Sequence, residues 1–211
     1  SADKSREYRV EAIRLTLPLE PKVLRPLLSD RGFKQRASNR ADRNDIALLK
    51  LDRDVEGIPV APLFEGRPKA GARICFAGFG AYATGKQKKE KQWKDDGLKR
   101  GGENILDRDG FQPQGGLIAF DFDNGQAERN TLESNRLLAR SLSRMLGPGQ
   151  SQAEPLPLEG CCYSGDSGCP IYARESGQWR VLGVNSFGTD YPLRGRRGST
   201  QYGDVNCSTR I

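Results

Sequence analysis

The segment 163–170 contains residue types that can attack a carbonyl carbon and stabilise the resulting anion. It reads Tyr-Ser-Gly-Asp-Ser-Gly-Cys-Pro. The Ser167 hydroxyl is a poor nucleophile at neutral pH unless a base accepts its proton. A tetrahedral intermediate also needs backbone N–H donors that point at its oxyanion. Gly165 has no Cβ, so its N–H can face a substrate, and the Ser167 N–H provides a second donor. The alternative is a plain surface turn, because Gly, Asp and Ser are common turn residues.

Three further segments place this serine in a wider pattern. Asp45 precedes the short apolar run 46–51, which has the length of a buried strand. The segment 72–80, Ala-Arg-Ile-Cys-Phe-Ala-Gly-Phe-Gly, predicts a strand that ends in a glycine turn. The segment 180–188, Arg-Val-Leu-Gly-Val-Asn-Ser-Phe-Gly, predicts a strand that follows the candidate nucleophile.

Short strands must position these residues. The 25 glycines and 12 prolines indicate many turns and few long helices. One helix is predicted by apolar spacing at 134–146, and the segment 81–104 is predicted to be a charged insertion. Together the short strands predict an all-β barrel or sandwich. The predicted strands cover 8–17, 45–51, 72–80, 117–122, 170–173, 179–187 and 202–211.

The order of these segments resembles that of the trypsin/chymotrypsin-like serine peptidases. The motif Gly-Asp-Ser-Gly-x-Pro around Ser167 is similar to the nucleophile segment of that family, and Asp45 stands where its aspartate segment is expected. The segments 99–107 and 120–123 look like an insertion seen in some bacterial secreted members. The resemblance implies a trypsin-like double six-stranded β-barrel. Its first barrel would be incomplete and lie in residues 1–70, and its second would lie in residues 71–211.

The resemblance also implies roles for individual residues. Ser167 would be the nucleophile, Asp45 would orient the catalytic histidine, and Gly165 and Ser167 would form the oxyanion hole. Asp166 would have a structural role, because the corresponding aspartate pairs with a freed N-terminal amine in activated members. Without that cation the oxyanion turn is expected to be loosely held. The substrate-binding positions would be Cys161, Ser186, Phe187 and Gly188.

Specificity follows from counting back along the same motif. Cys161 falls at the base of the substrate pocket, where an aspartate would select Lys or Arg. Cleavage after basic residues is therefore not predicted. Cys169 replaces the glycine that usually stands two residues after the nucleophile, so the local packing is expected to differ from that of the family.

The 211 residues contain no histidine, although the mechanism uses histidine as its general base. In the chain order His, Asp, Ser this residue would precede Asp45. We therefore expect a fragment of a serine endopeptidase whose histidine and activating terminus lie upstream of Ser1, and the chain as given is predicted to be inactive. The alternative is a catalytically inactive trypsin-fold protein that acts as a binding module.

The charge and hydropathy of the chain limit the classes of partner that it can have. The net charge is +7, so a nucleic-acid role has to be considered. The basic residues concentrate in 86–100, but acids interrupt this stretch, and a solvated surface loop is predicted. No apolar run approaches the roughly 18 residues of a membrane span. We predict a polypeptide substrate, no nucleic-acid partner and no membrane span, and the resemblance implies a secreted or periplasmic protein.

Five cysteines without a C-x-x-C pair, and no histidine, argue against a zinc site. No metal and no cofactor is predicted. The odd number leaves at least one thiol free, unless its partner lies outside the chain. One bridge to consider joins Cys161 or Cys162 to Cys207, because both ends flank the inferred pocket.

Two rival motifs are incomplete. An α/β-hydrolase nucleophile needs glycine two residues on either side of the serine, and Cys169 occupies the second place. The segment 80–86 matches most of a phosphate-binding-loop motif, but Gln87 occupies the position where Ser or Thr should bind magnesium.

Overall fold

The computed structural model describes residues 10–15, 45–86, 94–110, 117–133, 146, 149–189 and 202–211. The chain divides into two compact units, Ser1–Val60 and Ala61–Ile211, and each is described by itself. Apart from Leu146, the predicted helix at 134–146 lies outside the described residues.

The first unit contains an antiparallel pair of strands, β1 (Val10–Leu15) and β2 (Ala47–Leu51). The segment 45–51 was predicted to be a buried strand, and its residues 47–51 form β2. However, Leu48 and Leu49 are 55% and 56% exposed. Within the described residues β2 pairs only with β1, and a two-stranded ribbon buries little apolar surface by itself.

The second unit is a sheet of seven antiparallel strands, in the order β4-β3-β7-β8-β9-β6-β5. A single 3-10 turn, Ala127–Arg129, is the only helical element among the described residues. The predicted all-β class is therefore confirmed. The strands are β3 (Arg73–Gly78), β4 (Arg100–Ile105), β5 (Arg108–Asp109), β6 (Leu117–Asp121), β7 (Pro170–Glu175), β8 (Gln178–Thr189) and β9 (Val205–Arg210).

The sheet curls into a half-barrel because its two edges are consecutive in the chain. Strand β4 forms one edge and β5 the other, and only Leu106 and Asp107 separate them. The Asn104 side chain of β4 donates a hydrogen bond to the carbonyl of Asp121 in β6, at 2.8 Å. The Asp107 N–H donates to the Ala119 carbonyl at 3.0 Å. These contacts join the two sides of the curl.

Apolar side chains from both sides of the curl fill its interior. Phe76 of β3 stacks on Phe120 of β6, with ring centroids 5.7 Å apart, and Ile74, Ile171 and Leu182 pack in the same cluster. Each fully buried apolar side chain of this size contributes roughly 1.5–3 kcal/mol. A second cluster contains Leu117, Ala119, Leu132, Leu146, Val205 and Cys207.

Strand β4 lies at the end of the segment 81–104 that was predicted to be a charged insertion. Its sequence, Arg-Gly-Gly-Glu-Asn-Ile, lacks the apolar alternation of a typical strand. Pairing with β3 compensates for this, since Arg73 forms an ion pair with Glu103 across the two strands. Gly102 leaves space for the Phe76 ring, because a Cβ there would lie 3.0 Å from it.

Candidate functional site

An open cavity of about 290 Å³ lies where the end of β8, the start of β9 and the segment 161–167 meet. Asn185, Asp204 and Asn206 contribute to its wall. The structure therefore brings the predicted nucleophile and the predicted substrate-binding positions together in one cavity. Its lining includes Cys161, Ser167, Ser186, Phe187 and Gly188.

Strand β8 carries three of the predicted substrate-binding positions, Ser186, Phe187 and Gly188, on the part that extends beyond its neighbour β7. The β7–β8 ladder ends at Val184, whereas β8 continues to Thr189 along β9. At this point the nucleophile segment takes over the pairing with β8. The Asn185 N–H donates to the Cys169 carbonyl, and the Gly168 N–H donates to the Asn185 carbonyl, both at 2.8 Å.

Hydrogen bonds within the segment define the turn that carries Ser167. The Asp166 N–H donates to the Tyr163 carbonyl at 2.9 Å, and the Cys169 N–H donates to the Asp166 carbonyl at 3.0 Å. Glycine is needed on both sides of the serine, because Gly165 and Gly168 have φ angles of +94° and +84°. The Ser167 side chain is exposed at the top of this turn.

The Asp166 carboxylate is bound by backbone donors of the chain itself. Its Oδ1 accepts the Gly80 N–H at 2.8 Å, and its Oδ2 accepts the Tyr163 N–H at 2.9 Å. Hydrogen bonds to a charged acceptor are stronger than neutral ones. The turn is therefore tied to the end of β3, and the sequence-based expectation of a loosely held turn is not what the structure shows.

The peptide between Ser164 and Gly165 has a fixed orientation. The Ala81 N–H donates to the Ser164 carbonyl at 2.8 Å. Because the C=O and N–H of a trans peptide point in opposite directions, the Gly165 N–H points away from Ala81. Neither this N–H nor that of Ser167 has a hydrogen-bond acceptor in the part of the chain that the structure describes. The turn thus offers two N–H donors to an incoming oxygen.

No family model and no curated protein matches the chain.

Asp45, which was predicted to orient the catalytic histidine, belongs to the first unit, whereas Ser167 belongs to the second. Asp45 is exposed and immediately precedes Ile46 and strand β2 in the first unit. The second unit contains the remaining predicted site residues, and no histidine exists in the 211 residues to link an aspartate to Ser167.

Asn206 is a site residue that the sequence did not reveal. Its side-chain amide binds the backbone of Cys162 twice: Oδ1 accepts the Cys162 N–H at 2.7 Å, and Nδ2 donates to the Cys162 carbonyl at 3.1 Å. The amide thus pairs β9 with the start of the nucleophile segment as a neighbouring strand would. Asn185 acts similarly at the other end, since its Nδ2 donates to the Asp166 carbonyl at 3.1 Å. No local sequence signal marks either asparagine, because Asn185 and Asn206 bind backbone atoms that lie 19 and 44 positions away in the chain.

All five cysteines are free thiols. The bridge considered from Cys161 or Cys162 to Cys207 is not formed; Cys207 packs in the second apolar cluster, whereas Cys162 packs in the first. Cys162 instead contacts Cys169, with the Sγ atoms 3.7 Å apart.

Four carboxyl groups, those of Asp107, Asp121, Asp123 and Glu159, lie around the β4–β5 connection and β6. Burial raises the pKa of Asp107 and of Asp121, which are neighbours. Burial and then the Asp121 charge raise the pKa of Asp123 to about 8. Burial also raises the pKa of Glu159 to about 7. Among the described residues no His, Cys, Asp or Glu group is arranged to hold a metal ion.

The described residues also contain no helix with the length and apolar character needed to cross a membrane.

Proposed function

We propose that this chain carries the nucleophile and substrate pocket of a trypsin-like serine endopeptidase. One observation carries the proposal: exposed Ser167 lies at the edge of the cavity, in a turn whose Gly165 and Ser167 N–H groups have no acceptor among the described residues. This is the arrangement that acyl transfer requires, because charge develops on the substrate oxygen next to the nucleophile.

The proposed reaction is hydrolysis of a peptide bond through an acyl-enzyme. The Ser167 Oγ attacks the carbonyl carbon, and the two N–H donors stabilise the oxyanion. The backbone of Phe187 and Gly188 binds the substrate chain beside the cavity. A histidine from sequence outside the 211 residues removes the Ser167 proton and later donates it to the leaving amine, and Asp45 orients that histidine.

A double six-stranded barrel is the fold that accompanies this proposal. The curled sheet β3–β9 would be its second barrel, and the β1–β2 ribbon would belong to its first. A secreted or periplasmic location goes with the same family resemblance. The substrate is a polypeptide, because the cavity continues along an extended strand that can pair with another backbone.

A binding module without catalysis is the second candidate. The observation that favours it is the lack of histidine in the 211 residues. In that case the cavity and the end of β8 would bind a peptide, and Ser167 would have no base to activate it.

Covalent labelling with a fluorophosphonate separates the two candidates. We expect the protein expressed from its whole reading frame to be labelled at Ser167, as located by peptide mass spectrometry. The 211-residue chain should react slower by several orders of magnitude, roughly 10⁴-fold or more, because the triad acts as a unit.

Two controls define the outcome. Ser167→Ala should abolish labelling. Ser164 is a neighbouring exposed serine, and Ser164→Ala should leave the labelling of Ser167 unchanged. A folded full-length protein that remains unlabelled would exclude the peptidase and leave the binding module. Fast labelling of the 211-residue chain would show that its base is not a histidine.

A further inference from the structure

Two thiols, those of Cys162 and Cys169, lie in contact on either side of the turn that carries Ser167. The Sγ atoms of Cys162 and Cys169 are 3.7 Å apart, and both residues are buried, at 3% and 8% exposure. A disulfide bond is about 2.05 Å long, so the two sulfurs need to approach by less than ~2 Å. The turn with Ser167 lies between them in the chain.

The backbones on both sides are held by neighbouring strands, so the contact is a fixed feature of the fold. Asn206 of β9 binds the N–H and the carbonyl of Cys162. The carbonyl of Cys169 accepts the Asn185 N–H of β8. Since β8 and β9 are adjacent in the sheet, the two thiols are held side by side from outside the turn.

The cavity provides a route to one member of the pair. Cys162 lines the cavity wall, whereas Cys169 does not. A small uncharged reagent that enters the cavity therefore meets Cys162 first. We propose that Cys162 and Cys169 are a redox-active pair that forms a disulfide by exchange with a small dialkyl disulfide. The bond closes residues 162–169, which include Ser167, into a covalent ring.

The exchange balances in two steps. The Cys162 thiolate attacks one sulfur of the reagent, which forms a mixed disulfide and releases one thiol. The Cys169 thiolate then attacks the Cys162 sulfur, which forms the internal bond and releases the second thiol. Two protein thiols are oxidised, the reagent disulfide is reduced to two thiols, and the two cysteine protons pass to them.

The surroundings of Cys162 set the speed of the first step. Its hydrogen bond with Cys169 and its burial, with smaller effects from Cys161 and Asp166, raise the pKa of the Cys162 thiol. The thiolate is the attacking species, so exchange should be slow at neutral pH and faster as the pH rises. The proposal does not depend on the peptidase activity, because neither step uses Ser167.

Peptide mapping after treatment with hydroxyethyl disulfide tests the pair on the unaltered chain. Cleavage on the N-terminal side of aspartates separates fragment 123–165, with Cys161 and Cys162, from fragment 166–189, with Cys169 alone. We expect these fragments to remain joined until a reducing agent is added. The oxidised protein should melt roughly 5 °C higher than the reduced protein, because the ring restricts the unfolded chain.

Single substitutions identify the partner. Cys161→Ser and Cys75→Ser should retain the joined fragments, and Cys162→Ser should lose them. A link from Cys169 that survives in Cys162→Ser, or a link from Cys207, would overturn the proposal. Mixed disulfides alone on the unaltered chain, with fragments 123–165 and 166–189 separate, would overturn it as well.

Discussion

The carboxyl group of Asp107 shows how a single residue can link the stability of the second unit to pH. The side chain is 1% exposed, its Oδ2 accepts the Asp121 N–H at 3.1 Å, and its Oδ1 has no hydrogen-bond partner. Ionising such a group without a cation is costly, which is why burial raises its pKa. Asp123 and Glu159, with pKa values of about 8 and 7, add to the same effect.

The sign of the pH dependence follows from these shifts. Each folded-state pKa lies above the unfolded value of about 4, so the folded state binds these protons more tightly. The stabilisation is complete below about pH 4 and is lost as the pH rises through 7 and 8. We expect the melting temperature of the second unit to fall between pH 5 and pH 9. A constant melting temperature over this range would contradict the assignment.

Asp107→Asn replaces the carboxyl group by an amide, which cannot ionise, and it retains the size of the side chain. The amide oxygen can still accept the Asp121 N–H, and the amide can donate to the Asp121 carboxylate. We expect the variant to be about 1–2 kcal/mol more stable at pH 8, with a weaker pH dependence, in urea unfolding. Asp54→Asn, at an exposed position, is the matched control and should change neither quantity.

At the residue scale, local chemistry could be predicted and distant partners could not. The turn that contains Gly165 and Ser167 could be predicted from its Gly, Asp and Ser residues, because a turn depends on adjacent residues. The role of Asn206 depends on Cys162, 44 positions away in the chain. No local pattern reports such a pair, and the same is true of Asp204 in the cavity wall.

At the element scale, the glycine-rich end of β3 and the nucleophile turn are a single structural unit. The segment 72–80 was predicted as a strand that ends in a glycine turn, and the reason for the glycines is the Asp166 carboxylate. A Cβ on Gly80 would lie 2.6 Å from Asp166 Oδ1 and 2.8 Å from the Asp166 backbone nitrogen. Rotation of the side chain alone cannot remove both contacts.

Gly80→Ala should therefore displace the nucleophile turn. We expect a loss of roughly 1–3 kcal/mol in the free energy of unfolding, and slower fluorophosphonate labelling of Ser167 in the full-length protein. Gly160→Ala is the matched control, since a Cβ there meets only ordinary contacts, the nearest at 3.5 Å from Phe76. Equal stability of the two variants would show that Asp166 can move away without cost.

Strand β4 marks the limit of prediction at this scale. Its residues are mostly polar or glycine, so the alternation rule does not detect them. Asn104 is nevertheless fully buried, because its amide donates to the carbonyls of Asp121 and Gly160. The sequence predicted only a charged insertion over 81–104, whereas hydrogen bonds to distant backbone groups hold Asn104 in a strand of the sheet.

At the scale of the whole molecule, the curled sheet depends on β9. This strand lies between β8 and β6, and both neighbours pair with it along most of its length. Ser208 at its centre faces Asn185 on one side and Ile118 on the other. A change here affects the cavity wall and the apolar core together.

Two substitutions at Ser208 distinguish the contribution of its backbone to stability from that of its side chain. Ser208→Pro removes a backbone N–H in an interior strand, and we expect a loss of about 3 kcal/mol or more, measured by thermal and urea unfolding. Ser208→Ala retains the N–H and removes a buried hydroxyl that has no hydrogen-bond partner, so it should be neutral or stabilising. Similar losses in both variants would contradict a central role for the β9 backbone.

The position of β9 also determines when the sheet can be completed during translation. Of the described strands it is made last, yet it fills the place between β8 and β6. Strands β3 to β8 therefore emerge from the ribosome with the edges of β6 and β8 open, and they cannot close the curl by themselves. The cavity wall formed by Asp204 and Asn206 is completed in the same final step. A nascent chain that ends before β9 thus has the serine but no finished pocket, so any activity of this site would be delayed until synthesis of the domain is complete.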